Sequence, residues 1–211
     1  LKNFLKPKDI GTDSDRALLL DFQATLEIKP EKAIKLEKDA LAQIENITAD
    51  NARLVSNLHA NLGGLYRMNG HPDLAREHME KSISLLDQFN LLHINDSIPQ
   101  IANYAMFLTE QQEPERGISE LQKLSGIIKE YHSDDCLDYA KVQVALGTIY
   151  LMTANLPQAK TYFKRAFKIY EKIWADEPEM IEAKYQEIQE LYPQVGFFLG
   201  QQISSFFTKQ A

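Results

Sequence analysis

The feature that most constrains the fold of this 211-residue chain is a recurrence of residue types at 42-residue steps. An internal repeat of this length predicts stacked copies of one small structural unit rather than a single irregular core. Three columns share the period. The small-residue column comprises Ala33, Ala75, Gly117 and Ala159, a second comprises Gly63, Ala105 and Gly147, and the bulky column comprises Leu20, Leu62, Tyr104, Leu146 and Ile188.

Helix packing explains why small residues recur. Two helices approach to roughly 8–10 Å only where their contact positions carry short side chains. Prolines recur at one phase, at Pro30, Pro72 and Pro114, and Pro157 stands one residue out of phase. Proline is favoured at the first turn of a helix, where the missing N–H has no partner to lose. The pattern therefore predicts pairs of helices, the second of each pair opening at a proline.

The segments LGGLYRMNGHPDLAREHMEKS (62–82) and LGTIYLMTANLPQAKTYFKRA (146–166) carry a recognisable motif. Their L-G-x-x-Y, turn and A-x-x-x-F/M-x-x-A/S spacing resembles the tetratricopeptide repeat. The 42-residue period is longer than the usual 34 and is similar to the long repeats of kinesin light chains and some bacterial peptide-sensing regulators. The resemblance implies an all-α fold, a right-handed solenoid of antiparallel helix pairs with about four to five units.

The predicted organisation is one array over 1–211. Its segments are 13–47 (an atypical first unit), 49–90, 93–132, 134–175 and a C-terminal helix pair or cap at 178–209. Asp13 or Ser14 is expected to cap the first helix, and the segment 133–135 to cap the seventh. Because the chain begins with Leu1 and a natural start would carry methionine, we expect a fragment of a longer protein.

Composition narrows the function classes. A formal net charge of −7 and a pI near 5.3 argue against a general nucleic-acid binder. No run of apolar residues is long enough to span a membrane. The single cysteine, Cys136, excludes an intrachain disulfide and suits a reducing compartment, so we expect a cytoplasmic location.

Residues that could carry chemistry are sparse. The five histidines form no H-E-x-x-H or i, i+4 pair, and no phosphate-binding or nucleophile-elbow motif occurs. The cluster from Tyr131 to Cys136 could be a nucleophile or metal site only with a distant contributor, whereas a loop with a helix cap needs nothing more. We therefore predict no enzyme activity, no metal and no cofactor.

The resemblance implies a binding groove along the first helix of each pair. The candidate partner-binding residues are Asn57, Asn61, Arg67, Met68, Asn103, Met106, Glu110, Lys141, Thr148 and Met152. Asn61 and Asn103 stand one repeat apart, and long-repeat relatives use asparagines there to grip a peptide backbone. The alternative is that both are solvated helix residues, and the sequence does not separate the two.

Two further stretches have open interpretations. Lys160, Lys164, Lys168 and Lys172 follow strict four-residue spacing, typical of a solvated convex face and also able to meet an acidic partner. The segment 195–211 is apolar and either caps the array or supports self-association.

The function predicted from these features is a scaffold that binds a protein or extended peptide partner in its concave groove, without direct contact to nucleic acid or membrane. The alternative is the ligand-sensing portion of a multidomain signalling or transcription regulator.

Overall fold

The chain is predominantly helical in a computed structural model, which describes residues 11–193, 195–196 and 198–200. Nine helices have defined bounds in this part of the chain: α1 (Asp13–Thr25), α2 (Pro30–Leu41), α3 (Ala52–Met68), α4 (Pro72–Gln88), α5 (Ser97–Glu110), α6 (Pro114–Tyr131), α7 (Leu137–Met152), α8 (Leu156–Ile173) and α9 (Pro178–Leu191). No strand occurs among the described residues. The predicted all-α class is confirmed.

The helices pack in adjacent pairs, as the repeat pattern predicts. Helix α1 contacts α2, α3 contacts α4, and α7 contacts α8. Each of the four predicted repeat segments contains one such sequential pair of helices. Proline stands at the first helical position of α2, α4, α6 and α9, which confirms the predicted helix starts.

The chain divides into two compact units, with the division after Tyr104, inside α5. In the first unit, the buried residues Ala17, Leu20, Ala40 and Leu58 form a core cluster between the first helices. In the second unit, the larger cluster is centred on Phe163, Phe167 and Tyr170 of α8. The single array predicted for 1–211 stays a prediction.

The small-residue columns have the packing role that the sequence predicts. A Cβ on Gly63 would lie 2.6 Å from Cγ of Met79, and one on Gly117 would lie 2.6 Å from the carbonyl oxygen of Ala105. A Cβ on Gly147 would meet the ring of Phe163 at 3.1 Å. Helix contact, rather than backbone freedom, therefore explains these glycines. Every member of the bulky column is buried.

Three turns between paired helices share one backbone conformation at the 42-residue spacing. Gly70, Gln112 and Ala154 have φ of 71°, 65° and 57°, in the left-handed region. In each turn, the amide of the following residue bonds to a carbonyl five residues back, as in the bond from His71 N to Tyr66 O at 3.0 Å. This pattern is a Schellman cap, which satisfies the last carbonyls of a helix. The sequence revealed it only at Gly70.

Two predicted caps were wrong by one to three residues. Thr12 caps α1: its Oγ1 accepts from Asp15 N at 3.1 Å, and the carboxylate of Asp15 accepts from Thr12 N at the same distance. This reciprocal pair of bonds is a capping box between Thr12 and Asp15, and it leaves no capping role for Asp13 or Ser14. Helix α7 is capped by Cys136, whose Sγ accepts from Tyr139 N at 3.4 Å. The geometry therefore supports the interpretation of residues 131–136 as a loop with a helix cap.

The predicted C-terminal helix pair or cap at 178–209 contains α9, and its residues 194, 197 and 201–209 lie outside the described part of the chain, as does most of the segment 195–211.

Candidate functional site

A pocket of about 220 Å³ opens in the first compact unit, between α3, α4 and α5. We call it the α3–α5 pocket; its lining residues are Ala60, Gly64, Arg67, Met68, Met79, Ser82, Gln100 and Asn103. Three of them, Arg67, Met68 and Asn103, are candidate binding residues from the sequence. The structure therefore brings together predicted residues that are separated by more than 30 positions in the chain.

Gly64 distinguishes this pocket from ordinary helix packing. A Cβ on Gly64 would have no atom within 4 Å, whereas a Cβ on the neighbouring Gly63 would collide with Met79. A glycine inside a helix costs about 1 kcal/mol relative to alanine. Packing explains that cost at Gly63 and leaves it unexplained at Gly64, where the missing side chain keeps one wall of the pocket open.

The pocket combines apolar and polar groups. Met68 is 81% exposed at the end of α3, and Met79 and Ala60 contribute further apolar surface. The exposed side chain of Asn103 forms no hydrogen bond to any residue that the structure describes. An amide carries two donors and an acceptor, so Asn103 can bond to both the N–H and the C=O of a peptide backbone.

A hydrogen-bond network fixes the polar wall of the pocket. Oε1 of Gln100 accepts from Ser56 Oγ at 2.9 Å and from Ser82 Oγ at 2.6 Å, while Nε2 donates to Asn57 Oδ1 at 2.6 Å. Helices α3, α4 and α5 are thereby joined through one side chain. Sequence reasoning missed Gln100, which no repeat column marks, and it treated Ser82 only as the small residue of the repeat motif.

Asn57, a predicted groove residue, is used within this network. Besides accepting from Gln100, it donates to Asp96 Oδ2 at 3.4 Å. Arg53 Nε also donates to Asp96, at 2.6 Å, and this bond is the main reason that the pKa of Asp96 is lowered. Asn57 therefore supports the pocket wall rather than offering a free amide.

Asn61 is also engaged by its own fold. Its Nδ2 donates to Asp21 Oδ1 at 2.9 Å and to Glu37 Oε1 at 3.1 Å, which connects α3 to α1 and α2. Both amide hydrogens are used by these two acceptors. A peptide could recruit them only by displacing a bond within the unit.

Glu37 is a buried carboxyl group, 2% exposed. Burial, followed by the nearby charge of Asp21, raises the pKa of Glu37 from 4.5 to about 8. Its Oε2 is buried and has no hydrogen-bond partner within the described part of the chain. Glu37 is therefore protonated at neutral pH.

A histidine pair lies between α3 and α4. Nδ1 of His59 and Nδ1 of His78 are 2.9 Å apart, and Tyr66 stacks on His78 with ring centroids 5.4 Å apart. Burial, with the neighbouring His78 as second cause, lowers the pKa of His59 to about 4. The described residues hold no group of three or more His, Cys, Asp or Glu side chains arranged for a metal ion.

The remaining predicted residues, Met106, Glu110, Lys141, Thr148 and Met152, are not among those that line the α3–α5 pocket. Met106 is half-buried and Glu110 exposed on α5, and Met152 is 44% exposed at the end of α7. Lys141 donates to Asp138 at 2.8 Å. Thr148 is only 3% exposed and has little surface to offer a partner.

Comparison with protein families identifies part of this architecture. The family model for the tetratricopeptide repeat matches residues 97–172. Over this range the chain is similar to tetratricopeptide repeats. The predicted resemblance is thereby confirmed, and this repeat generally serves as a non-catalytic scaffold for protein–protein interaction. A comparison with curated proteins found no match.

Solved structures show that the tetratricopeptide-like fold extends over most of the chain. BtubC (BKLC) from P. vanneervenii is 18% identical with a TM-score of 0.67, over 92% of this chain and 77% of that one. A putative kinesin light chain from Podosopora anserina with nearly identical TPR-like repeats is 13% identical with a TM-score of 0.67, over 81% and 82% of the two chains. MamA is 16% identical with a TM-score of 0.53, over 75% and 79%.

Among the described residues, every helix is too short or too polar to traverse a lipid bilayer.

Proposed function

We propose that this chain is a tetratricopeptide-type scaffold that binds an extended segment of a partner protein in the α3–α5 pocket. The observation that carries the proposal is that Gly64, a helical glycine with open space over it, lines the α3–α5 pocket. A backbone that passes close to a helix needs such a position, because any side chain there would hold it away.

The size of the pocket favours a peptide over a free small molecule. Sites for drug-sized ligands usually enclose about 300–1,000 Å³, and this pocket encloses about 220 Å³. That volume suits one anchoring side chain, held against Met68 and Met79, with the rest of the segment lying outside. Asn103 would bond to the backbone beside the anchor.

The proposed site is narrower than the predicted groove. Arg67, Met68 and Asn103 remain in it, while Asn57 and Asn61 act through internal hydrogen bonds and Thr148 is buried. The alternative regulatory function would use the same pocket to receive a signal peptide, so the same variants test the site in both cases.

The test begins with selection of peptides from a random displayed library against the full chain, followed by affinity measurements on variants. We expect Gly64→Leu to weaken the selected peptides at least about tenfold, because the leucine side chain fills the pocket. Asn103→Ala should lower the affinity for these peptides by a similar factor, because the variant loses about one or two hydrogen bonds to the peptide backbone. Isothermal titration calorimetry gives both affinities.

Gly126→Leu is the matched control. Gly126 lies inside α6, and a Cβ there would also have no atom within 4 Å. Both leucine variants should melt no lower than the wild type, since leucine is the better helix former. Selected peptides that bind Gly64→Leu as tightly as the wild type would place the working surface elsewhere and contradict the proposal.

A further inference from the structure

Helix α8 carries a concentration of positive charge that the proposed peptide pocket does not use. Its 18 residues include five basic side chains, Lys160, Lys164, Arg165, Lys168 and Lys172, and one acidic side chain, Glu171. The whole chain has the opposite balance, with 23 basic and 30 acidic residues. Helix α2, by comparison, carries three basic and three acidic residues.

Three of these lysines form a row whose positive charges are not neutralised by ion pairs with the described residues. Lys160, Lys164 and Lys168 are all exposed and follow one another at four-residue steps, which places their charges about 6 Å apart along one helix face. None of the three forms an ion pair with a residue that the structure describes. We call these three residues the lysine row.

The lysine row leads into a second pocket in the second compact unit. This pocket of about 480 Å³ is lined by Lys129, Asp134, Asp135, Tyr139, Arg165, Lys168 and Ile169. Its two carboxylates are engaged, since Lys129 Nζ lies 2.8 Å from Asp134 Oδ2 and Lys172 pairs with Asp135. Lys168 therefore adds an unpaired positive charge at the place where the row meets the pocket.

We propose that the lysine row is a docking surface for an acidic segment of a partner protein. One cation about every 6 Å matches the spacing of carboxylates on one face of a helix or strand. Duplex nucleic acid carries one negative charge per about 1.7 Å of its axis, which is denser than the row can pair, and the net charge of −7 repels such a polyanion. The surface is separate from the α3–α5 pocket, so either proposal can fail without the other.

The experiment uses the full chain and a fluorescent oligoglutamate peptide as the probe, read by anisotropy at low and physiological salt. The triple variant Lys160→Gln, Lys164→Gln, Lys168→Gln should bind the probe about tenfold more weakly, because each exposed ion pair contributes about a factor of two. Its fold should be unaffected, since glutamine is as good a helix former as lysine.

The matched control removes the same charge from the other unit, through Lys29→Gln, Lys32→Gln, Lys35→Gln. All three control lysines are exposed. We expect the control to bind oligoglutamate like the wild type. Equal weakening by both triple variants, absence of measurable binding, or tighter binding of an oligodeoxythymidine of equal charge would each overturn the proposal.

Discussion

At the scale of single residues, burial shifts the pKa of Glu37 and of His59 in the direction that favours the neutral form of each. Glu37 is almost fully enclosed, beside Asp21, and its pKa is raised to about 8. The folded state therefore holds a proton that the unfolded state releases above its pKa of 4.5. By linkage, the contribution of this group to stability is unchanged below pH 4.5 and declines as the pH rises from 4.5 through about 8.

The substitution Glu37→Gln should remove this pH dependence. Glutamine keeps the shape and stays neutral, and its amide can donate to Asp21, so we expect the free energy of unfolding at pH 8.5 to rise by on the order of 2 kcal/mol relative to the wild type. At pH 4.5 the two proteins should be nearly equal. Urea unfolding at both pH values measures the difference; a constant offset between the proteins would contradict a protonated Glu37.

At the scale of the helices and their turns, one conformation ends the first helix of three successive pairs. Gly70, Gln112 and Ala154 all have positive φ, although only the first is a glycine. A left-handed conformation costs an L-residue roughly 1–2 kcal/mol. The hydrogen bonds of the Schellman cap and the packing of the pair that it joins hold Gln112 and Ala154 there.

Ala154→Gly is expected to stabilise the protein by about 0.5–1 kcal/mol, the relief of left-handed strain less the greater freedom of glycine in the unfolded chain. Gly70→Ala should cost about 1 kcal/mol, and φ is the reason, since a Cβ there would have no atom within 4 Å. Thermal unfolding of both variants checks the opposite signs. Destabilisation by Ala154→Gly would show that this turn is not strained.

At the scale of the whole molecule, contacts concentrate within two compact units. In repeat proteins each unit contacts mainly its neighbours, so local stability need not be uniform along the chain. The bulky column supplies an equivalent buried leucine in each unit, Leu62 at 0% and Leu146 at 1% exposure.

We therefore expect Leu62→Ala, which should cost about 2–5 kcal/mol, to speed amide exchange in α1–α4 more than in α7 and α8. Leu146→Ala is the reciprocal control and should give the reverse pattern. Hydrogen exchange followed by mass spectrometry resolves the two regions. Uniform acceleration along the chain in both variants would indicate that the units unfold together.

The sequence by itself determined the helix pairs, their starts at proline and the buried columns, because helix packing requires particular side-chain sizes at a fixed period. Gly63, Gly117 and Gly147 were predictable for that reason. It also pointed to Arg67, Met68 and Asn103. Only the tertiary structure decided which asparagine has a free amide, because hydrogen bonding depends on neighbours distant in the chain. Asn61 donates to Asp21 and Glu37, whereas Asn103 forms no hydrogen bond to a described residue. The left-handed turns at Gln112 and Ala154 were likewise decided by packing, since it overrides the preference of the individual residue.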